Sequence, residues 1–158
     1  MNNEPLLSVQ DLKVHFPLKR KFLIGKRSVV HAVDGVSLTI KRGTTFGIVG
    51  ESGSGKTTTA LAVMRLVPIT AGTIDLNGIQ IHELENDDLR KVRQHMQIIF
   101  QDPYSSLNPR VRAGAIIREP MDLMNVGDAS ERDNEVRRLM SAVGLRAEQR
   151  VLFPHQFS

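Results

Sequence analysis

The chain has 158 residues, which is long enough to bury one hydrophobic core. Its composition, 41% apolar and 24% charged residues, is ordinary for a globular protein. Its net charge of +4 is too small to indicate a nucleic-acid partner, and the absence of cysteine excludes disulfides, thiolate metal sites and a cysteine nucleophile. No apolar run approaches the length of a membrane span and Met1–Glu4 does not begin a signal peptide, so we expect a soluble or peripheral protein.

Two predicted strand regions, separated by a basic loop, begin the chain. Residues 6–16 alternate apolar and polar side chains with one slip near Asp11, and residues 29–40 form a second pair of strand segments around Asp34 and Gly35. The loop between them is either a solvated insertion or a contact for lipid headgroups or an acidic partner, and the sequence leaves both open. Its positive charges are Lys19, Arg20, Lys21, Lys26 and Arg27.

A glycine-rich loop lies between the next predicted strand and helix. Residues 44–49 predict a short buried strand, and residues 57–66 predict a helix that ends before Pro68. The stretch Gly50–Thr57, GESGSGKT, matches the spacing G-x-x-x-x-G-K-[ST] of a phosphate-binding loop at every fixed position. The third glycine of a dinucleotide-binding fingerprint is missing after Gly55, which disfavours that alternative.

Each residue type in this loop has a chemical role in binding a phosphate group or its metal ion. Glycine allows backbone conformations closed to other residues and lets the main chain approach a phosphate without a Cβ in between. Successive backbone N–H groups and the helix N-terminus then form an anion cradle. Lys56 supplies a full charge for the β- and γ-phosphates, and Thr57 supplies a hydroxyl ligand for Mg²⁺. The predicted nucleotide-binding residues are Gly50, Glu51, Ser52, Gly53, Ser54, Gly55, Lys56, Thr57 and Thr58.

The next stretch predicts a hairpin, a short helix and a second buried strand. Residues 73–81 contain an Asn-Gly dipeptide, which is typical of a two-residue hairpin turn. Residues 87–94 predict a helix capped by Asp87 or Asn86. The apolar run at residues 96–100 predicts a buried strand.

The composition changes after residue 101. Residues 101–112 are a predicted loop with two prolines, and residues 113–123 and 130–143 predict helices. We therefore predict a nucleotide-binding α/β lobe over residues 1–101 and a helical lobe over residues 102–158. The last predicted helix carries an apolar stripe that indicates core rather than a site, formed by Val136, Leu139, Met140 and Val143.

The positions of the histidines in the sequence do not predict a metal site. The spacing of the five histidines along the chain is not that of metal ligands, so each is predicted to lie on the surface or in a loop. They are His15, His31, His82, His95 and His155.

Several stretches resemble the ATP-binding cassette (ABC) transporter ATPases. Residues 96–103, MQIIFQDP, resemble the glutamine loop of that family, and the continuation YSSLNPR at residues 104–110 is similar to its oligopeptide and dipeptide importer branch. Three further stretches agree with this resemblance: AVDGVSL at 32–38, the phosphate loop at 50–57 and FPHQFS at 153–158. The resemblance covers nearly the whole chain.

The resemblance implies an α/β fold, namely an incomplete ABC ATPase fold. Its parts would be a P-loop nucleotide-binding lobe, an antiparallel β subdomain and the start of a helical subdomain. It implies an ATP-binding subunit of an importer for oligopeptides or dipeptides, which couples ATP binding and hydrolysis to transport. The implied partners are transmembrane permease subunits and a second ATP-binding subunit, with no nucleic acid. The implied location is the cytoplasm, at the inner face of the cell membrane, with membrane contact only through the permease.

The resemblance also implies roles at matching positions. Phe16 would stack on adenine, and Gln101 would reach Mg²⁺ and the attacking water. The residues alone also allow a purely structural role for each: Phe16 as a core side chain at the end of a strand, and Gln101 as a polar residue that ends a strand. The implied cofactors are ATP and Mg²⁺, with Thr57 and Gln101 as metal ligands. The loop from Asp102 to Arg112 and the helical lobe match the surface that meets the permease.

The chain ends at Ser158, where the S-G-G-Q signature motif of the family would begin, and the second acidic motif and the switch histidine would lie further on. We therefore expect weak ATP binding at residues 50–57, negligible hydrolysis by this chain alone, and unpaired strand edges beside the phosphate loop.

The alternative is a truncated, non-catalytic remnant that at most binds nucleotide, and sequencing the DNA beyond codon 158 distinguishes the two. A soluble ABC ATPase of translation or DNA repair, or a P-loop kinase, is disfavoured by the residues after Gln101.

Overall fold

The structure is a computed structural model that describes residues 5–18 and 28–157. All the positive charges of the predicted basic loop lie at residues 19–27, outside the described residues, as does Ser158. The chain divides into two compact units, residues 1–98 and 99–158. The composition of the sequence places its boundary slightly later, after residue 101.

The first unit is built on a four-stranded antiparallel sheet with the order β2-β1-β3-β4. Its strands are β1 (Pro5–Pro17), β2 (Val29–Lys41), β3 (Ala71–Leu76) and β4 (Ile79–Gln80). The alternating pattern of residues 6–16 therefore predicts β1 correctly. The slip near Asp11 is a shift in the pairing between Val9 and Leu12, where Asp11 adopts a φ of 47°.

Side chains from several elements form one core in this unit. Strands β1, β2 and β3 contribute to it, together with the helices α1 (Lys56–Val63) and α2 (Asn86–Val92). Each fully buried aliphatic side chain contributes roughly 1.5–3 kcal/mol relative to an exposed one. The largest fully buried side chains of this core are Val9, Leu12, Val14, Ile74 and Ile81.

The predicted hairpin is confirmed. Strands β3 and β4 pair across a two-residue turn in which Asn77 has a φ of 53° and Gly78 a φ of 83°. Two successive residues with positive φ are what a type I′ turn requires, and the Asn-Gly dipeptide tolerates them. The Gly78 N–H also donates a hydrogen bond of 2.8 Å to the carboxylate of Asp75.

The predicted cap of α2 is wrong. The N-cap residue is Glu85 in an extended conformation, and no side chain donates or accepts a capping hydrogen bond there. Asn86 and Asp87 both lie inside the helix instead. The negative charge of Asp87 in the first turn favours the helix through its dipole rather than through a cap. A short 3₁₀ turn, Arg93–His95, follows the helix.

The two predicted buried strands around residues 44–49 and 96–100 are also wrong. Neither segment forms a strand, and Val49 and Ile99 are 93% and 87% exposed. Uninterrupted apolar runs are typical of strands covered on both faces and paired on both sides. Among the residues described, sheet pairing involves β1 to β4 only, so these two runs have no strand neighbours there.

The second unit contains two helices, α3 (Ala113–Leu123) and α4 (Ala129–Ala142), and three 3₁₀ turns, Tyr104–Ser106, Ala147–Val151 and Pro154–Gln156. Both helices are where the sequence predicts them. No helix in the described ranges has the length and apolar character needed to cross a bilayer.

The start of α4 is fixed by a capping box. The carboxylate of Asp128 accepts hydrogen bonds from the backbone N–H groups of Ser130 and Glu131, at 2.7 and 2.8 Å. The Glu131 side chain in turn accepts from the Asp128 N–H at 2.8 Å. The two side chains thus satisfy donors that a helix N-terminus otherwise leaves without partners.

Ion pairs connect the two helices. Arg118 on α3 contacts both Asp122, at 3.1 Å, and Asp133 on α4, at 2.8 Å. Arg132 on α4 contacts Asp122 at 2.8 Å. Partial burial acts to raise the pKa of Asp122, but the hydrogen bonds from Arg132 and Arg118 outweigh it, and the pKa is lowered.

The predicted apolar stripe of α4 is only partly core. Val136 and Met140 are buried, as predicted. Leu139 and Val143 are instead 37% and 73% exposed, so the prediction is wrong for these two residues. Val143 is already the C-cap residue of the helix, where the regular 3.6-residue period ends.

Candidate phosphate-binding site

The glycine-rich loop joins the extended segment that ends at Val49 to the N-terminus of α1. Gly53 and Gly55 adopt φ values of 83° and 89°, in the left-handed region that favours glycine. Gly55 is the N-cap of α1, and its carbonyl oxygen accepts the Thr59 N–H at 2.8 Å and the Thr59 hydroxyl at 3.0 Å. The loop therefore leads directly into the first turn of the helix, as a phosphate cradle requires.

Gly55 also packs tightly against the antiparallel sheet. A Cβ at this position would lie 2.4 Å from the carbonyl oxygen of Ala32 on β2 and 3.6 Å from a methyl carbon of Val33. Only glycine fits there without displacing β2. The cradle is therefore anchored to a strand that is distant in the sequence.

The amine of Lys56 lies within the loop. It donates hydrogen bonds to the carbonyl oxygens of Gly50 and Glu51, at 2.8 and 2.7 Å. The hydroxyl of Ser54 is 3.4 Å away. A compact ammonium with three donors can exchange such carbonyl partners for phosphate oxygens, which form stronger, charge-assisted hydrogen bonds.

The other predicted residues line the same turn. Glu51, Ser52 and Ser54 are exposed, and so is Thr57, the second residue of α1. The hydroxyl of Thr57 is therefore accessible to a cation next to a bound phosphate, and Thr58 is half-buried. An ammonium, an exposed threonine and a loop with glycines in the left-handed region fit a magnesium-bound nucleoside triphosphate.

Phe16 lies near the end of β1, where it pairs with Val30 of β2. It is half-buried and packs against the hydrophobic core of the first unit. Its predicted contact with adenine stays a prediction.

Gln101 belongs to the second unit, in an exposed bend after the extended residues 96–100. The chain then turns at Asp102, whose carboxylate accepts the Ser105 N–H at 3.3 Å and whose carbonyl accepts the Ser105 hydroxyl at 3.0 Å. These local bonds give the loop a defined shape. The predicted role of Gln101 with Mg²⁺ and water stays a prediction.

An apolar groove of about 270 Å³ lies in the second unit, close in sequence to Gln101. Tyr104 and Leu107 are large apolar members of its lining, 64% and 36% exposed. The groove is lined by Pro103, Tyr104, Leu107, Ala113, Ile116, Ile117, Leu145, Pro154 and Phe157.

Residues 33–158 match the ABC transporter family, ABC_tran, and the chain belongs to this family. It is 42% identical over 158 residues to the oligopeptide transport ATP-binding protein AppF of Bacillus subtilis, with 99% of this chain and 48% of that protein covered. It is also 42% identical over 155 residues to the glutathione import ATP-binding protein GsiA of Pectobacterium atrosepticum, with 98% of this chain and 25% of that protein covered. The chain thus spans half or less of the length of these relatives.

Solved structures support the predicted fold class. The dimeric ATP-binding cassette MJ0796, in a post-hydrolysis state bound to ADP and Pi, superposes with a TM-score of 0.76 at 23% identity, covering 96% of this chain and 63% of that one. The cbiO1 protein of Clostridium perfringens gives a TM-score of 0.71 at 22% identity, covering 98% and 56%. The predicted fold, a partial ABC ATPase cassette, is confirmed.

One polar cluster was missed by sequence reasoning. His15 on β1 meets His31 and Asp34 on β2, although the spacing of the histidines along the chain gives no hint of a site. The alternation of β1 indicates which of its side chains share a face. The pairing of β1 with β2, which brings the three residues together, cannot be predicted from spacing within one segment.

Proposed function

We propose that this chain is the nucleotide-binding part of an ABC importer subunit for oligopeptides or dipeptides, and that it binds MgATP at residues 50–57. The observation that carries this proposal is the Lys56 amine, which lies inside a glycine loop anchored on Ala32. Family membership and the names of the relatives support the transport role and the peptide class.

In this proposal, the backbone N–H groups of the loop bind the phosphates and the Lys56 amine moves from the carbonyls of Gly50 and Glu51 to phosphate oxygens. The Thr57 hydroxyl, at the start of α1, holds the metal ion. Bound Mg²⁺ would supply positive charge that offsets the negative charge of the phosphates. Phe16 contacts the adenine, and Gln101 orients the attacking water and senses the permease.

We further propose that a transmembrane permease subunit docks on the apolar groove of the second unit, and that a second ATP-binding subunit completes the assembly. The groove is apolar, partly open to solvent and close in sequence to Gln101, so a partner seated there contacts the loop that carries this glutamine. The subunit would then lie at the cytoplasmic face of the membrane through its permease.

Peptide uptake by cells tests the proposed function. A chromosomal Lys56→Ala substitution should abolish uptake of labelled di- and oligopeptides, whereas Lys91→Ala, which removes an exposed lysine paired with Asp88 at 2.9 Å, should leave it unchanged. Uptake that is equal in these two strains and the unaltered strain would contradict an importer role. Loss of glutathione uptake alone would assign a narrower substrate.

Recovery of the permease tests the docking surface. Tyr104→Ser removes an exposed apolar side chain from the groove and should reduce the permease recovered with the tagged protein from solubilised membranes. Val126→Ser is the matched control, because Val126 is 53% exposed and is not among the residues that line the groove. Equal recovery with both variants would place the permease elsewhere.

A further inference from the structure

Three side chains of residue types that can bind a metal meet on the antiparallel sheet, where His31 and Asp34 flank the Ala32–Val33 segment against which Gly55 of the phosphate loop packs. Nε2 of His15 is 3.2 Å from one carboxylate oxygen of Asp34, and Nδ1 of His31 is 3.4 Å from the other. The two imidazole rings lie side by side, with their centroids 4.0 Å apart. The ligand atoms of all three residues lie within 4.8 Å of one another.

An irregularity in strand pairing creates this cluster. Val14 pairs with Val33, but His15 pairs with His31, so Ala32 is an extra residue on β2. In a regular strand, residues three apart point to opposite faces of the sheet. The extra residue reverses the alternation and brings His31 to the face that Asp34 occupies.

The cluster is accessible and its carboxylate is charged. The side chains of His31 and Asp34 are 55% and 56% exposed, and that of His15 is 20% exposed. The hydrogen bond from His15, followed by that from His31, lowers the pKa of Asp34. Lys13 pairs with Asp34 across the strands, but its amine contacts Asp11 at 3.4 Å.

We propose that His15, His31 and Asp34 bind one divalent transition-metal ion of the zinc class, with water in the fourth position. Two imidazoles and one carboxylate are a ligand set that suits zinc, and three protein ligands plus water is a common arrangement. Mg²⁺ and Ca²⁺ prefer six or more oxygen ligands and are disfavoured here.

The distances in the cluster agree with such an ion. Zinc bonds of about 2.0–2.2 Å in a tetrahedron place neighbouring ligand atoms about 3.3–3.6 Å apart. The two nitrogen–oxygen distances, 3.2 Å to one carboxylate oxygen of Asp34 and 3.4 Å to the other, lie close to that range, and a rotation of this exposed carboxylate would present one oxygen to both imidazoles. The imidazoles would bind the ion through a nitrogen lone pair in their neutral form, and Asp34 would bind it as a carboxylate.

Titration of the full chain, freed of any polyhistidine tag and of bound metal, tests this proposal. We expect calorimetry with Zn²⁺ to give one ion per chain, and Co²⁺ to give the visible absorption of a tetrahedral site. His31→Ala and His15→Ala should each weaken Zn²⁺ binding by about tenfold or more, since each removes one of three ligands. His95→Ala, which removes an exposed histidine outside the cluster, should leave the affinity unchanged.

His31 is the decisive position because its side chain is exposed and its loss does not open the core. Zn²⁺ should also raise the thermal unfolding midpoint of the unaltered chain and of His95→Ala, and should raise that of His31→Ala by less at the same Zn²⁺ concentration. Zinc affinity that is equal in His31→Ala and His95→Ala would overturn the proposal. So would the absence of any stoichiometric binding by the unaltered chain.

Discussion

The Cα of Gly55 faces the carbonyl oxygen of Ala32 so closely that a Cβ at position 55 would lie only 2.4 Å from that oxygen. One residue ends the phosphate loop, and the other lies in β2. The shape of the cradle therefore depends on the antiparallel sheet as well as on the local glycine pattern.

This contact predicts that Gly55→Ala destabilises the first unit and abolishes nucleotide binding. The positive φ alone costs an alanine about 1–2 kcal/mol, and the clash with Ala32 adds to that. Gly53→Ala is the matched control, because Gly53 has a similar φ of 83° but a Cβ at position 53 would meet no other atom within 4 Å. Urea unfolding of both variants measures the difference in stability, and equal losses would argue against the anchoring role of Ala32. Nucleotide titration of Gly55→Ala checks the expected loss of binding.

The capping box of α4 predicts a modest loss of stability on removal of its first residue. Asp128→Ala leaves the N–H groups of Ser130 and Glu131 without their carboxylate partner. The expected cost in free energy of unfolding is about 1 kcal/mol, with a range of about 0.5–2. Ser141→Ala near the other end of the helix should change it by less than about 0.5 kcal/mol. A cost for Asp128→Ala no larger than for this control would exclude a stabilising cap.

The difference in burial along α4 predicts that truncation to alanine lowers the free energy of unfolding unequally at two residues of the same predicted stripe. Met140 is fully buried, so Met140→Ala should cost about 2–5 kcal/mol through lost contacts and a cavity. Val143 is 73% exposed, so Val143→Ala should cost less than about 0.5 kcal/mol. Denaturant unfolding of the two variants checks this order, and similar costs would mean that Val143 is also buried.

The ion pairs between α3 and α4 predict a pH dependence of stability. The pKa of Asp122 is lowered in the folded state, so its contribution is complete above the unfolded aspartate pKa of about 3.9 and is lost as the pH falls through the lower folded value. Asp122→Asn should therefore be less stable than the unaltered chain at neutral pH, with the difference vanishing in strong acid. Chemical unfolding at both pH values tests this. Glu119→Gln, an exposed site on the same helix, is the control; a difference that persists in acid would contradict the assignment.

The elements that were predicted correctly are those whose signal is local. The alternation of residues 6–16, the Asn-Gly dipeptide of the hairpin and the periodicity of α3 and α4 each depend on a few neighbouring residues. The spacing of the phosphate-loop motif is local as well, since it is contained within eight positions, and the role of its residues in nucleotide binding stays a prediction.

The wrong or missing predictions depend on neighbours that are distant along the chain. The apolar runs around Val49 and Ile99 resemble buried strands, but a strand also needs partners, and none lies within the described residues. The meeting of His31 with Asp34 on one face depends on an extra residue in β2, Ala32, which changes the register between two strands. Spacing within one segment cannot indicate such a shift.

The central claim is that residues 50–57 bind a nucleoside triphosphate, and a comparison of the affinities for ATP, ADP and AMP tests it most directly. Calorimetric titration of the full chain with ATP, ADP and AMP, each with Mg²⁺, should show binding of ATP and ADP and much weaker binding of AMP, because the contacts proposed for the loop are to the β- and γ-phosphates. Lys56→Ala should weaken ATP binding by about 1.5–3 kcal/mol, roughly tenfold or more, since a charge-assisted contact is lost. Equal affinity for AMP and ATP, or ATP binding unaffected by Lys56→Ala, would contradict the assignment of residues 50–57 as a nucleoside triphosphate cradle.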